Sequence, residues 1–296
     1  MRYDPHQYFV APAMGSAELW RTAAGAVLTF VAGMAIYQLT FALVSNLIGP
    51  DATQLLVDNT TFDKGSAFAT IYILATFGFF ALGLSMVTSS LHHRSPATLF
   101  GPAAAVVSDA LRVTLSVGGM YVLLALLLPM DVETVRNEEL ARRSWIALLP
   151  VSFSAILIQS TTEEMIFRGY LQQQLAARFP KLPLWMIVPS AVFGLAHLSP
   201  ETAGTNAPYF ALWATAFAFA AADLTARTGS IGAAIGLHLA NNIAAILFVS
   251  LLGPGSGLAL YHLPMEASDP RLAAQMLPEF AMLFCGWLAA RLVLKV

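Results

Sequence analysis

Charge is scarce in this sequence. Aspartate, glutamate, lysine and arginine make up 11% of the 296 residues and 57% are hydrophobic, against roughly 25% charged and 45–50% apolar in soluble domains. A core of this size could not hide so much apolar surface, so a soluble globular fold is excluded. Basic charge is in no excess: 15 lysines and arginines accompany 17 acids, for a net charge of -2. Without a concentrated basic face, a nucleic-acid partner is excluded as well. Cys285 is the only cysteine, which removes a disulfide framework and a multi-thiolate metal site. In its apolar surroundings it reads as inert packing. Internal repeats, low-complexity tracts and a soluble domain are missing too, so residues 1–296 read as a single membrane domain.

What is present is a series of long apolar runs. Lipid offers the backbone no hydrogen-bond partners, so a spanning helix needs about 20 mostly apolar residues. About eight such segments emerge, giving an all-α polytopic membrane protein. Six are clear: Thr22 to Ile48, Ala67 to Leu91, Leu111 to Leu128, Ser144 to Thr161, Ile231 to Leu252 and Leu277 to Leu294. Leu184 to Ser199 and Tyr209 to Leu224 are short, and Pro189 predicts a break or tilt in the first of them. The first apolar run is too long for a signal-peptide core, so no cleavage is expected there. The loops Pro50 to Lys64 and Gly253 to Gln275 read as polar and turn-rich.

Cytoplasmic loops carry an excess of lysine and arginine. Arg2, Arg21, Arg94, Arg178, Lys181, Arg227, Arg291 and Lys295 fall on one side when the spans alternate, which predicts a multi-pass protein with both termini in the cytoplasm. Arg136, Arg142 and Arg143 oppose the rule, although Asp131, Glu133, Glu138 and Glu139 accompany them.

Ionisable groups inside a span cost at least ~2.5 kcal/mol on insertion scales, so those present need a reason. They cluster. Thr161-Thr162-Glu163-Glu164-Met165-Ile166-Phe167-Arg168-Gly169-Tyr170 puts two acids and an arginine at the inner end of the fourth span. Glu164 and Arg168 share a face at i, i+4, the acid first, as an ion pair prefers. Glu163 is rotated by roughly 100° and left without that partner, free to act as a general base. Phe193 and His197, and again His238 and Asn242, repeat the i, i+4 spacing. His6, His92, His93 and His262 fall in loops or tails, whereas His197 and His238 lie in apolar segments. An imidazole and a carboxamide on one face can donate two hydrogen bonds to one developing oxyanion.

Three ordered motifs, Glu163-Glu164-x-x-x-Arg168, Phe193-x-x-x-His197 and His238-x-x-x-Asn242, on successive membrane segments, resemble the signature of the CAAX prenyl endopeptidase and bacteriocin-processing family of intramembrane glutamate proteases. The flanking Phe167-Arg168-Gly169 and Thr228-Gly229-Ser230-Ile231 are of the kind usual there. The resemblance places a catalytic core at about 144–252, implies an endopeptidase cutting membrane-associated, prenylated or leader-type peptides, and makes a bacterial plasma (inner) membrane the expected compartment. By position, Glu163 would activate a water held with His197, and His238 and Asn242 would stabilise the tetrahedral intermediate. Glu164 and Arg168 would be the supporting pair, and Phe193 a wall residue.

Other readings stay open. Glu163, His197 and His238 could be three zinc ligands with a free fourth position, although HExxH is absent and a metal-free site, with no cofactor, is the expectation. The polar cluster could serve folding in a non-catalytic immunity or scaffold protein. It could also relay protons in a transporter. Asp223 and Arg227, another i, i+4 pair, read as structural. Counted at 1.5 Å per residue, Glu163 falls near the inner edge, His238 roughly 10 Å deep and His197 roughly 20 Å, a mismatch that a late start or a break of the fifth segment at Pro189 would relieve.

Overall fold

The computed structural model of the protein describes residues 3–60, 65–127 and 133–296. Arg2, Lys64, Leu128 and Asp131, used in the span and charge readings, lie outside them. The chain opens with α1 (Asp4–Val10) and a 3-10 turn, then runs through α2 (Leu19–Ile48), α3 (Pro50–Thr60), α4 (Ala67–Ser90) and α5 (Ala103–Leu127). Helix α6 (Arg142–Glu164) passes through a π-helical stretch (Met165–Gln172) into α7 (Gln173–Arg178). There follow α8 (Leu184–Ala196), α9 (Pro200–Ala203), α10 (Ala207–Thr228) and α11 (Gly232–Asn242), which continues into a second π-helical stretch (Ile243–Phe248), and finally α12 (Leu272–Leu294).

Six stretches among the described residues are long and apolar enough to cross a membrane: Leu19–Ile48, Ala67–Ser90, Pro96–Leu127, Arg142–Arg178, Pro200–Thr228 and Leu272–Leu294. Leu184–Ala196 and Gly232–Phe248 are apolar but shorter. This is an all-α membrane architecture that departs from the expected spans at several ends: the third begins at Ala103 rather than Leu111 and the last at Leu272 rather than Leu277. The fourth does not end at Thr161; it continues for 37 residues from Arg142 to Arg178, because Glu164 and Arg168, which read as a terminus, are turned inward and paired with each other. The seventh stops at Phe248 rather than Leu252. The segment expected over Tyr209 to Leu224 is a full-length helix, closed by Gly229 in the left-handed conformation (φ 71°).

The loops are more ordered than their composition predicts. Residues 50–60 form α3. Strands β1 (Val135–Arg136), β2 (Val249–Leu252) and β3 (Tyr261–Glu266) make a small sheet in the order β1-β3-β2, antiparallel for β1 and parallel for β2. Trp145 at the start of α6 donates its indole N–H to the carbonyls of Leu247 and Leu258, tying that sheet to the bundle.

The bundle is polar inside and apolar outside. Glu164, Arg168, Gln172, Gln173 and Gln174 are buried, whereas Leu39, Leu115, Leu126 and Leu277 are exposed, as expected where lipid and not water surrounds the helices. Cys285 faces outward on α12 and is not core packing. Close helix approach rests on small residues. At Gly194 an added Cβ would meet the Ala211 carbonyl of α10 at 2.6 Å, and at Gly236 the Ala110 carbonyl of α5 at 2.6 Å. These glycines precede His197 and His238 and set how near their helices come to the core. The opposite end from the sheet gathers both chain ends. Tyr3 donates to Asp223 at 2.6 Å, Trp287 donates to the same carboxylate, and Arg291 lies over the Trp287 ring.

Candidate active site

Glu164 is the last α-helical residue of α6 and is fully buried. Its carboxylate meets Arg168 twice, Nε at 3.1 Å and Nη1 at 3.2 Å, so the i, i+4 pair read from the sequence is formed. The same carboxylate has a third partner that the sequence did not reveal: His238 Nδ1 lies 2.8 Å from its Oε1. A carboxylate only accepts, so Nδ1 carries the proton and the ring is held in one orientation. Its Nε2 then faces Glu163, 3.7 Å from Oε2. That oxygen is buried and has no hydrogen-bond partner, while the Glu163 side chain as a whole is 13% exposed. One imidazole thus stands between two carboxylates, pinned by one and open to the other.

Phe193, read as a wall, is the hub of the cluster. It is buried on α8, with its ring centroid 4.6 Å from that of His197, 6.3 Å from His238, 4.9 Å from Phe167 and 6.0 Å from Phe217. The Arg168 guanidinium lies 5.1 Å from it, a cation over an aromatic face in a dry setting. Phe217 on α10 also packs edge-on to His238 at 5.0 Å. The alanines of α10, among them Ala214, Ala218 and Ala221, are buried and let these rings approach.

Among the described residues, His197 makes both its hydrogen bond and its ring contact with Phe193. It caps the C-terminal end of α8 and is exposed. Its Nδ1 donates to the Phe193 carbonyl at 2.8 Å, which leaves Nε2 as the free acceptor. Among the described residues no hydrogen bond joins it to Glu163 or His238. Apolar sequence context and burial part company here: His6, His92 and His238 are the buried histidines. Between Glu163 and His197 the depth mismatch disappears for a different reason than expected. Pro189 sits inside an unbroken α8, and Glu163 lies in the middle of the long helix, roughly 22 Å from Arg178 at 1.5 Å per residue. That agrees with the roughly 20 Å from Leu184 to His197.

Asn242 closes α11 and is half-buried. Its amide donates to Gln159 Oε1 at 2.8 Å and to Ser160 Oγ at 3.3 Å. Gln159 lies four residues before Glu163 on the same face of α6. Gln159 and Ser160 were missed, as was a run of three buried glutamines just beyond the motif. Gln172 reaches His6 and the Ala222 carbonyl, Gln173 holds Arg94 and the Thr98 carbonyl, and Gln174 meets His92. His92 in turn contacts Tyr170 and Ser16. The signal was a polar triplet, Gln172-Gln173-Gln174, inside an apolar segment. Asp223 and Arg227 form the structural pair expected, at 2.7 Å.

Two concavities lie away from this cluster. One, of about 440 Å³, lies among Met186, Ala220, Phe284 and Trp287; the other, of about 300 Å³, lies beside the sheet at Arg136, Ser256 and His262. Among the described residues no three His, Cys, Asp or Glu side chains are arranged to hold a metal ion, and Glu163, His197 and His238 do not form such a set. What the site can do chemically is accept a proton at Glu163 beside a fixed imidazole.

Over 114 residues the chain is 30% identical to the uncharacterized protein YyaK of Bacillus subtilis (strain 168), a match covering 38% of this chain and 38% of that one. No solved structure matches. Residues 144–244, which hold all three motifs, match the family model described as Type II CAAX prenyl endopeptidase Rce1-like, consistent with the CAAX prenyl endopeptidase and bacteriocin-processing family that this segment resembles.

Proposed function

We propose that the protein is a membrane-embedded endopeptidase in which Glu163 activates a water for attack on a peptide carbonyl. The observation that carries the reading is the buried, unpartnered Glu163 Oε2 3.7 Å from His238 Nε2, beside a Glu164 already neutralised by Arg168. Two adjacent acids thereby acquire different tasks. The water oxygen bonds to the carbonyl carbon as Glu163 takes the water's proton, and the carbonyl electron pair moves onto oxygen. Collapse of that intermediate breaks the C–N bond, and the proton on Glu163 passes to the leaving nitrogen. His238, fixed by Glu164, stands over the proton path. His197 Nε2, exposed at the end of α8, holds the water from the other side, and Asn242 borders the position of the oxyanion.

The substrate is a membrane-associated peptide or protein segment in a bacterial plasma membrane, with a prenylated tail or a leader peptide as the two forms. No metal enters this mechanism. Purified protein in proteoliposomes, given quenched-fluorescent peptides with and without a prenyl group, should cleave at least one of them. Cleavage should vanish in Glu163→Gln and be insensitive to a chelator. Chelator-sensitive cleavage would move the reading to the zinc alternative.

A non-catalytic immunity or scaffold protein is the second reading, favoured by the mutual pairing of Glu164, Arg168 and His238, which would serve folding alone. Under that reading Glu163→Ala retains biological activity.

A further inference from the structure

Asn242 has two N–H donors on its carboxamide, and both are engaged, by Gln159 Oε1 at 2.8 Å and Ser160 Oγ at 3.3 Å. Ser160 passes its own hydroxyl proton on to the same Gln159 oxygen at 3.1 Å. Two donors therefore converge on Gln159 Oε1, and this fixes which way the Gln159 amide points. The other end of that amide is the unusual part. Gln159 is 8% exposed, its Nε2 has no protein acceptor among the described residues, and it is not among the buried polar atoms left without a partner. It meets accessible space, one helical turn from Glu163 on the same face of α6. Interhelical amides commonly act as glue in membrane bundles, which accounts for Oε1 but leaves the two Nε2 protons unused.

We propose that Gln159 is a catalytic hydrogen-bond donor: its Nε2 stabilises the oxyanion, with Asn242 and Ser160 as the positioning residues that lock its amide. A donor oriented before substrate arrives needs no reorganisation as charge develops, and this is the condition under which oxyanion donors are effective. The assignment rests on the proteolytic reading above and divides the labour differently from the motif: the carboxamide of Asn242 acts through that of Gln159.

Two variants test it in the proteoliposome peptide assay. Gln159→Glu keeps an acceptor for Asn242 and Ser160 but removes the donor; Gln159→Met is neutral and removes the donor too. Both should lower kcat by about 10²- to 10³-fold with KM little changed, the loss expected for one oxyanion donor. Both should weaken, by a similar factor, the binding of a phosphinate peptide that mimics the tetrahedral intermediate, while the matching uncleaved peptide binds as before. Thermal unfolding in detergent checks that each variant is folded. A kcat within about threefold of wild type in either variant overturns the proposal, since Gln159→Glu would then show Oε1 alone to matter and Gln159→Met would show the donor to be idle. Equal loss of affinity for the phosphinate and the uncleaved peptide overturns it as well. A wild-type protein that cleaves none of the peptides would instead defeat the proteolytic reading itself, so the two failures are distinguishable.

Discussion

At the residue scale, the two neighbouring glutamates separate stability from chemistry. Glu164 is fully buried and holds both Arg168 and His238. Glu164→Ala leaves a buried guanidinium without its counter-ion, and removing one partner of a buried pair costs about 3–5 kcal/mol. Glu163 Oε2 has no hydrogen bond to lose, so Glu163→Ala should leave the unfolding midpoint close to that of wild type. Denaturation of both variants in detergent checks this, and a similar loss in both would contradict the division of tasks. Phe193 makes a second residue-scale case: it contacts His197, His238 and Arg168 at once. Phe193→Ala is expected to cost about 3–5 kcal/mol and to reduce cleavage in the fraction that stays folded, whereas Phe193→Leu should retain more of both.

The Glu164–Arg168 pair and the order of the motifs were legible in the sequence because helical spacing alone puts i and i+4 on one face. The contact between Glu164 and His238 was not legible, since 74 residues separate them and only the packing of α11 against α6 brings them together. Gln159 carried no signal beyond being polar in an apolar run.

At the element scale, the helix ends were the least legible feature. Charge in an apolar sequence reads as the end of a span, yet Glu163, Glu164 and Arg168 lie mid-helix, where the inward face pairs Glu164 with Arg168 and His238. Two of the three motif-bearing helices also change from α to π at the motif, within the first at Met165 and just after the third at Ile243. Such a switch is frequent at functional sites and has no compositional marker here. Glycine was the readable sign of close packing. Gly236→Leu would drive a side chain into the backbone of α5 at Ala110, at a cost of about 1–3 kcal/mol for overpacking, and would push His238 away from Glu164. Its activity should fall by more than its stability implies when both are measured on the same preparation.

At the scale of the whole molecule, composition alone gave the inside-out arrangement, but not the polar clamp at the end that gathers the termini. There α1 and the α4 exit are held to the motif helix through His6 and His92 by Gln172 and Gln174. Burial lowers both histidines from the ordinary 6.5 to about 4, with the nearby Arg94 charge adding to the effect at His92. A folded-state value below the unfolded one means the unfolded chain takes up protons first as pH falls. The contribution of these groups is therefore full above about pH 6.5 and is progressively lost between there and about pH 4. The unfolding temperature in detergent should decline across that window, and the decline should be smaller in His92→Gln. A flat profile would contradict the clamp.

The central claim is that Glu163 activates a water against a peptide bond. Its most direct measurement is a comparison of protein N-termini in membranes of cells carrying wild type or Glu163→Ala at equal abundance. The account predicts at least one new N-terminus that is present with wild type and disappears with Glu163→Ala. Identical sets of N-termini in the two membranes, with the biological activity preserved, would contradict it.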